Sequence, residues 1–179
     1  MRINKYFAFF LSLVLCACMV SFPVQASSSN AEDCMLSYDQ CQSIISKVDA
    51  SKDVCRVDIG NGLAVAFCHS KTSSTRSVAS DTYSGYYYLI ESGEKVAVFS
   101  FSASFVYNGS SVYYSSSTAT ARAVKDNWSI QYSRTHDDSQ TVLSTASCVF
   151  TLYKNGSYNN SNTVTISCNK SGTTSVVSN

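Results

Sequence analysis

Apolar and polar residues alternate along much of this chain, and the alternation restricts it to a fold built mainly from β-strands. In Val96–Tyr107, alanine and aromatic residues occupy the odd positions from 97 to 107, and serines occupy positions 100, 102 and 104. Successive side chains of a strand project to opposite faces, so this period of two predicts one buried face and one solvated face.

An Asn-Gly pair between two apolar segments predicts the first hairpin. Gly60-Asn61-Gly62 separates Val54–Ile59 from Leu63–Cys68. Asn and Gly tolerate the positive φ angles that tight hairpin turns require. We therefore predict two antiparallel strands joined at Asn61-Gly62.

A second Asn-Gly pair predicts another tight turn. A two-residue turn at Asn108-Gly109 would pair Phe105 with Val112 and Ala103 with Tyr114. The polar segment His69–Asp81 predicts a loop. The remaining alternating segments predict strands at Tyr83–Ile90, from Trp128 onward, at about 141–153 and at about 163–169.

In the last hairpin, turn chemistry and hydrophobic register conflict. A two-residue turn at Asn155-Gly156 would set Phe150 against Ser161. A longer loop would set Phe150 against Ile166 and match the two apolar faces. We expect the longer loop, because a slip of one residue exposes an entire apolar face.

The period changes from two to 3.6 near the N-terminus, which predicts a helix over about 32–50. Glu32 and Asp33 would stand at its start and Lys47 near its end, as the helix dipole favours. Its apolar stripe comprises Cys34, Tyr38, Cys41, Ile45 and Val48.

The first 26 residues have the organisation of a secretory signal peptide. Arg2 and Lys5 precede an apolar stretch over residues 7–20, and Val24-Gln25-Ala26 supplies a small-residue cleavage pattern. We predict a secreted protein that begins at Ser27, with residues 27–31 as a flexible lead-in.

A lipid anchor is the alternative for this leader. Leu15-Cys16-Ala17-Cys18 loosely resembles a bacterial lipobox, which would leave the protein anchored through Cys18. Cys16 is unusual at its place in that pattern, and apolar residues continue beyond Cys18, so we favour the released form.

Removal of the leader takes two of the eight cysteines and leaves an even set. An even set in an exported chain predicts a disulfide framework, and no C-x2-C spacing indicates a zinc site. The longer final loop would place Cys148 opposite Cys168, so a direct bridge is expected, unless both reach another sheet. The set is Cys34, Cys41, Cys55, Cys68, Cys148 and Cys168.

The predicted helix constrains the other four cysteines. Cys34 and Cys41 would lie about 10.5 Å apart along its axis, beyond the span of about 7 Å that a disulfide allows between α-carbons. Each would then bond to Cys55 or Cys68. A Cys55–Cys68 bridge is the alternative, because the Asn61-Gly62 turn can place them opposite each other.

The predicted fold class is therefore mainly β. We expect a single domain over 32–179, an antiparallel β-sandwich or flattened barrel of seven or eight strands, with one N-terminal helix attached by disulfides.

Charge and hydropathy exclude several classes of function. Without Arg2 and Lys5, the 13 basic residues fall to 11 against 12 acidic ones. This balance shows no basic patch for nucleic acid, and no later apolar run has the roughly 18 residues of a membrane span. We predict neither a nucleic-acid partner nor a transmembrane segment in the mature chain.

Histidine chemistry is poorly supported, because the chain has only two histidines. His69 follows Cys68, which the framework would oxidise, and this excludes a thiolate nucleophile. His136 could join a serine and Asp137 in a hydrolase, yet no G-x-S-x-G elbow exists and His136–Ser139 is typical of a solvated turn.

No cofactor or metal is predicted. Asp137 and Asp138 lack the surrounding pattern of an EF-hand loop, and the seven glycines include no phosphate-binding loop. No pair of carboxylates stands out as a glycosidase pair.

Tyrosine clusters supply the candidate ligand-binding residues. Consecutive tyrosines in a strand must project to both faces, so some are expected at the surface, where they can stack on sugars or anchor a partner. The alternative is that tyrosine is simply a good strand former. Trp128 begins an apolar alternation and is expected in the core. The tyrosines are Tyr86, Tyr87, Tyr88, Tyr113 and Tyr114.

Residues 105–110 and 152–157 are similar in sequence, and each ends in Asn-Gly-Ser. Trp128-Ser129-Ile130 and Val164–Cys168 belong to the same pattern. From about Phe99 onward this resembles β-rich proteins secreted by bacteria. The resemblance implies a compact β domain and no particular activity.

Export, the disulfide framework and the lack of a catalytic constellation together favour a non-enzymatic protein. We expect recognition of a glycan, a cell-envelope component or a protein partner. The alternatives are a secreted hydrolase with a site around His136 and a secreted toxin or bacteriocin-like protein.

Overall fold

The computed structural model describes residues 36–50, 54–74 and 77–179. The predicted leader, the lead-in and Cys34 lie outside these residues. The described part contains one helix and nine strands, so the prediction of a mainly β fold with one helix is confirmed. The elements are α1 (Tyr38–Ala50), β1 (Cys55–Gly60), β2 (Leu63–Ser74), β3 (Val78–Leu89), β4 (Lys95–Tyr107), β5 (Val112–Ala123), β6 (Trp128–Gln140), β7 (Leu143–Lys154), β8 (Ser157–Asn169) and β9 (Thr174–Ser178).

Two antiparallel sheets form a sandwich-like fold. Strands β1 to β5 make one sheet and β6 to β9 the other, each in sequence order, and the described strands do not close into a barrel. The inner faces share one core, in which the rings of Phe99 and Phe150 lie 4.8 Å apart between centroids. The alternation predicted for Val96–Tyr107 is confirmed, with its odd-numbered residues from 97 to 105 buried.

Hydrogen bonds join the two sheets along both sides of the sandwich. On one side the Val112 amide donates to the Thr141 carbonyl at 2.9 Å. On the other, Asn160 Nδ2 donates to the Ile59 carbonyl at 2.6 Å. These bonds satisfy polar groups at sheet edges that would otherwise be unpaired.

The first hairpin has the predicted turn and an additional bulge. Asn61 and Gly62 have φ angles of 53° and 72°, and Gly60 lies opposite Leu63. The register then shifts by one residue at Ile59, which places Cys55 opposite Phe67. Cys55 therefore projects to the same face of the sheet as Phe67, whereas Cys68, the next residue in β2, projects to the other face. This excludes the alternative Cys55–Cys68 bridge.

The last hairpin, like the first, combines a tight turn with a bulge, and this removes the conflict between turn chemistry and hydrophobic register. Its two-residue turn at Asn155-Gly156 is retained, so the expected longer loop is wrong. A one-residue bulge at Asn159 restores the apolar register, and Phe150 lies opposite Asn162 rather than Ser161 or Ile166. A bulge allows both preferences to be met because it adds one residue to one strand only.

The turn between β4 and β5 is longer than predicted. Tyr107, rather than Phe105, lies opposite Val112, which leaves a four-residue loop. Asn108 Oδ1 accepts hydrogen bonds from the amides of Ser110 and Ser111 at 2.9 and 2.8 Å. This side-chain bonding stabilises the longer turn.

Two predicted loops are strands. Most of His69–Asp81 belongs to β2 and β3, and His136–Ser139 lies within β6, so both predictions are wrong. Polar segments form strands here because neighbouring hydroxyls pair across the outer face, as Ser80 and Ser104 do at 2.8 Å. These extensions and β9 raise the strand number above the expected seven or eight.

None of the described cysteines forms a disulfide. Cys148 lies opposite Val164 and Cys168 opposite Ser144, so the predicted pairing of Cys148 with Cys168 is wrong. The two cross-strand pairs that contain these cysteines are four residues apart along the strands. This is about 13 Å, well beyond the reach of a disulfide. The other described cysteines, Cys41, Cys55 and Cys68, are also unbonded.

Helix α1 packs on the outer face of the first sheet. Ser37 and Gln40 form a reciprocal capping box at its start, with hydrogen bonds of 3.2 and 2.7 Å, so the helix begins at Tyr38 and its predicted start near residue 32 is wrong. Cys41 and Val48 are buried against the sheet, but Tyr38 is 67% exposed and was wrongly assigned to the apolar stripe. No helix within the described ranges is long and apolar enough to cross a membrane.

Candidate functional site

A cleft of about 650 Å³ lies between α1 and the connection from β5 to β6. We call it the Arg122 cleft; Tyr38, Cys41 and Gln42 line it from α1, and Arg122 and Trp128 line it from the two strands. Its volume falls within the range of about 300–1,000 Å³ that is usual for small-molecule sites.

Arg122 lies in the wall of this cleft because it stands opposite Val98 on the outer face of the first sheet, beside the segment that leads into α1. Its Nη1 donates to the Leu36 carbonyl at 3.2 Å. Burial raises the pKa of the neighbouring Cys41 thiol, while the Arg122 charge opposes that rise. The thiol is therefore largely neutral near pH 7 and is not an activated nucleophile.

The positive charge of Arg122 is not neutralised by the protein. Arg122 is half-buried, and none of the carboxylates in the described segments forms an ion pair with it. Lys125, which also lines the cleft, is paired with Glu94. A partly desolvated charge without a counter-ion is costly, so the cleft favours an anionic group.

Trp128 adds a hydrogen-bond donor without an acceptor. The residue is only 7% exposed, and no atom of the described segments accepts a hydrogen bond from its buried Nε1. Lys154 Nζ lies 5.6 Å from the ring centroid. This nitrogen is itself enclosed by protein atoms, so a ligand in the cleft does not reach it in this structure.

A second, shallower depression lies on the opposite flank of α1. We call it the Thr118 groove; it has a volume of about 360 Å³. Leu36 and Ile44 form its apolar wall, and Ser100, Thr118 and Thr120 form its hydroxyl-bearing floor.

The structure places Tyr86, Tyr87 and Tyr88 away from any open platform. Tyr86 is buried beneath α1, where its hydroxyl donates to Asp49 at 2.6 Å, and burial raises its pKa to about 12. Tyr87 is fully buried between the sheets and donates to Asn162 at 3.3 Å. Tyr88 is half-buried against the α1 cluster.

Tyr113 and Tyr114 lie at the start of β5, far along the strand from Arg122. Tyr113 is 49% exposed. Tyr114 stacks on His136 with ring centroids 4.2 Å apart, and its hydroxyl is 2.9 Å from Ser117 Oγ. Of the predicted tyrosines, only Tyr113 therefore offers a largely free ring.

The residues of the hydrolase alternative do not assemble into a triad. Ser144 Oγ donates to Asp138, but Ser144 is fully buried and no described hydrogen bond joins His136 to either residue. The Ser139 amide donates to Asp137 and lowers the pKa of that carboxyl. These carboxylates organise the end of β6 instead.

The second histidine contacts a residue that the sequence did not single out. His69 Nδ1 lies 3.8 Å from the fully buried carboxylate of Asp81. His69 and Cys68 are neighbours in a strand and project to opposite faces. Among the described side chains, no three metal-binding groups come together.

The sequence did not identify Tyr38 or Arg122 as site residues, and it predicted Trp128 only as a core residue. The one available signal was Arg122, a charged residue in a segment otherwise rich in serine, threonine and alanine. No family model, curated protein or solved structure matches the chain. Function is therefore inferred from the side chains of the cleft.

Proposed function

We propose that the protein is an exported, non-enzymatic recognition protein that binds a glycan in the Arg122 cleft. The observation that carries this proposal is the exposed Tyr38 ring beside Arg122, whose charge has no carboxylate partner among the described residues, at a cleft of about 650 Å³. Saccharides supply many acceptors, and they combine them with apolar ring faces that stack on tyrosine and tryptophan.

Tyr38 supplies the stacking surface. Its ring is 67% exposed at the mouth of the cleft, and its position near the start of α1 is fixed by the Ser37–Gln40 capping box. An aromatic ring held on a rigid element loses little conformational entropy on binding. Tyr38 and Arg122 would thus provide a stacking surface and a charged donor.

Export is the second part of the proposal and depends on residues 1–26, which lie outside the described residues. The intact mass of the protein recovered from its producer tests it. A chain beginning at Ser27 supports release, whereas one beginning at a lipidated Cys18 would show a surface lipoprotein.

Screening the purified protein on an oligosaccharide array tests the binding function. We expect binding to a subset of glycans, reduced roughly tenfold by Tyr38→Ala, which removes the stacking ring, and about tenfold by Arg122→Gln, which removes the charged donor. Tyr113→Ala is the matched control because it removes another exposed tyrosine outside the cleft. Absence of binding, or binding that both cleft variants leave unchanged, would refute the proposal.

A further inference from the structure

We infer that the free edge of β1 is a self-association surface, which pairs with β1 of a second copy of this chain. Self-association of this kind does not depend on glycan binding. Strand β1 lies at the end of the first sheet, and all its residues except Ile59 are exposed. An exposed edge strand presents unpaired N–H and C=O groups that another strand can bind.

The hydrogen-bonding direction of the strands identifies the free groups of this edge. The Gly62 carbonyl accepts a hydrogen bond of 2.9 Å on the β3 side of β2. Because this direction alternates along an antiparallel strand, Val65 bonds toward β1, where Val57 lies opposite it. Arg56 and Asp58 therefore direct their backbone groups away from β2, and no other described segment bonds to these groups.

The charges along this edge complement each other when two copies pair in one particular register. Neither Arg56 nor Asp58 forms an ion pair with any described residue. An antiparallel pair centred on Val57 sets Arg56 of each copy opposite Asp58 of the other, and these residues can exchange both backbone hydrogen bonds. A register centred on Arg56 or on Asp58 would place like charges opposite each other. The charge pattern therefore favours a two-fold dimer in which Val57 lies opposite its own counterpart.

The open part of the edge is short, so the dimer is weak. Asn160 Nδ2 donates to the carbonyls of Ile59 and Gly60 at 2.6 and 3.2 Å, and β8 thereby covers the edge beyond Asp58. Residues 56–58 stay open, and two copies can exchange about four backbone hydrogen bonds there. Contacts of this size belong to the weak end of specific interfaces. We expect a dimer that forms at high concentration and weakens as salt screens its charge pairs.

A disulfide across the two-fold axis tests this register. Residues opposite each other in a non-hydrogen-bonded antiparallel pair have α-carbons about 4.5 Å apart, within the range of a disulfide. Val57→Cys in a Cys55→Ser background should therefore give a covalent dimer when the purified protein is mildly oxidised. Val177→Cys in the same background is the matched control, since Val177 is another exposed valine on an edge strand, 52% exposed against 38% for Val57.

The pattern of linkage supports the inference or overturns it. Fast linkage of Val57→Cys with slow linkage of Val177→Cys supports it. No linkage of Val57→Cys, or equal linkage of both variants, would overturn it. Preferential linkage between the two variants in a mixture would also overturn it, because β1 would then pair with β9 of another copy. In the unchanged protein, Cys55 would lie about 13 Å from its counterpart along the strands and should not link.

Charge reversal gives a second test without a new cysteine. Arg56→Glu makes the edge wholly acidic and Asp58→Lys makes it wholly basic, so each variant alone should dimerise roughly tenfold more weakly or worse. An equimolar mixture of the two should recover the dimer, because every charge again lies opposite its counter-charge. Sedimentation velocity from about 10 μM to about 1 mM measures the dimer in each sample.

Two controls separate the edge charges from general effects of charge and folding. Glu91→Lys and Lys170→Glu reverse exposed charges elsewhere and should leave the dimer unchanged, alone or mixed. Asp58 Oδ1 also accepts a hydrogen bond from the Gly60 amide at 2.8 Å, so thermal unfolding must show that Asp58→Lys is folded. A monomeric unchanged protein over the whole concentration range, or a mixture of folded variants that recovers no dimer, would overturn the inference. The disulfide test decides the question if Asp58→Lys does not fold.

Discussion

The Thr174 hydroxyl donates a hydrogen bond to the Asp81 carboxylate at 3.0 Å, which joins β9 of one sheet to β3 of the other. Asp81 is fully buried, and the Thr82 amide also donates to it at 2.9 Å. Lys71 Nζ donates to the Thr174 carbonyl at 2.9 Å. One short edge strand is thus held to the opposite sheet by a buried carboxylate and a lysine.

Thr174→Val should lower the free energy of unfolding by about 1–3 kcal/mol, because it leaves a buried carboxylate with one fewer donor. Denaturant unfolding measures the change. Thr163→Val is the control, since Thr163 is half-buried on the outer face of β8. Equal losses for the two variants would show that the Asp81 bond adds nothing specific.

Asp49 should make the docking of α1 dependent on pH. Lys95 Nζ donates a hydrogen bond to the Asp49 carboxylate at 2.7 Å, and this bond and the one from the Tyr86 hydroxyl lower the pKa of that carboxyl. A lowered folded pKa contributes stability above the unfolded value of about 4, and this is lost as the pH falls through the folded value. Because the side chain is 44% exposed, solvent screening limits the contribution to about 0.5–1 kcal/mol.

We therefore expect Asp49→Asn to be less stable than the original protein at pH 7 and equally stable near pH 2. Urea unfolding across that range gives the difference at each pH. Glu91→Gln removes a carboxylate from an exposed turn and should show no such dependence. A difference between Asp49→Asn and the original protein that stays constant with pH would contradict the assigned contacts.

The alternation and the Asn-Gly pairs predicted the strands, but the pairings between strands depended on single inserted residues. Ile59 and Asn159 are the bulge residues of the first and last hairpins. Neither belongs to a residue type that marks a bulge, since a bulge arises from the fit between two strands. The match of apolar faces favoured a longer loop with Cys148 opposite Cys168, whereas the two-residue turn with one bulge residue at Asn159 matches the faces with Cys148 opposite Val164.

The candidate site was unpredictable for a related reason. Tyr38, Arg122 and Trp128 come from three different elements, and they meet because α1 packs on β2 to β4 and its start lies beside Arg122. That packing depends on which face of the sheet the helix covers, a tertiary property with no local signal. The buried tyrosines illustrate the same limit, since Tyr86 is covered by the helix and not by solvent.

The cysteines should differ sharply in thiol reactivity. Cys55 is exposed, whereas Cys148 and Cys168 are fully buried and burial raises their pKa values to about 12 and about 11. The thiolate is the reactive form, so Cys55 should be alkylated in the native protein without reduction, and the two buried thiols only after unfolding. Peptide mass mapping identifies each labelled residue.

The same raised pKa values predict loss of stability at high pH. A folded pKa above the unfolded value means that stability is complete below about 9 and declines as the pH rises toward 11 and 12. Cys148→Ala should reduce this decline in thermal unfolding experiments. If Cys148 and Cys168 stay unlabelled in denaturant until a reductant is added, they are in disulfides and the described register is wrong.

Gly85 should tolerate no side chain, because β2 passes unusually close to it. A Cβ at this position would lie 2.2 Å from the Ala66 carbonyl oxygen and 2.9 Å from Phe67 Cα, both of them backbone atoms. Neither can move without disturbing the stacking of Phe67 on Tyr83, whose centroids are 4.2 Å apart. Overpacking of this kind costs about 1–3 kcal/mol or more.

Gly85→Ala should therefore lower the free energy of unfolding by roughly 2–3 kcal/mol, measured by denaturant unfolding. Ser84→Ala, at the next position, loses only the 2.8 Å hydroxyl pair with Ser100 and should cost about 1 kcal/mol. Replacing glycine by alanine also restricts the unfolded chain, which alone would stabilise the protein by about 0.4–1 kcal/mol. A stabilised Gly85→Ala variant would thus show that β2 and β3 are not in such close contact.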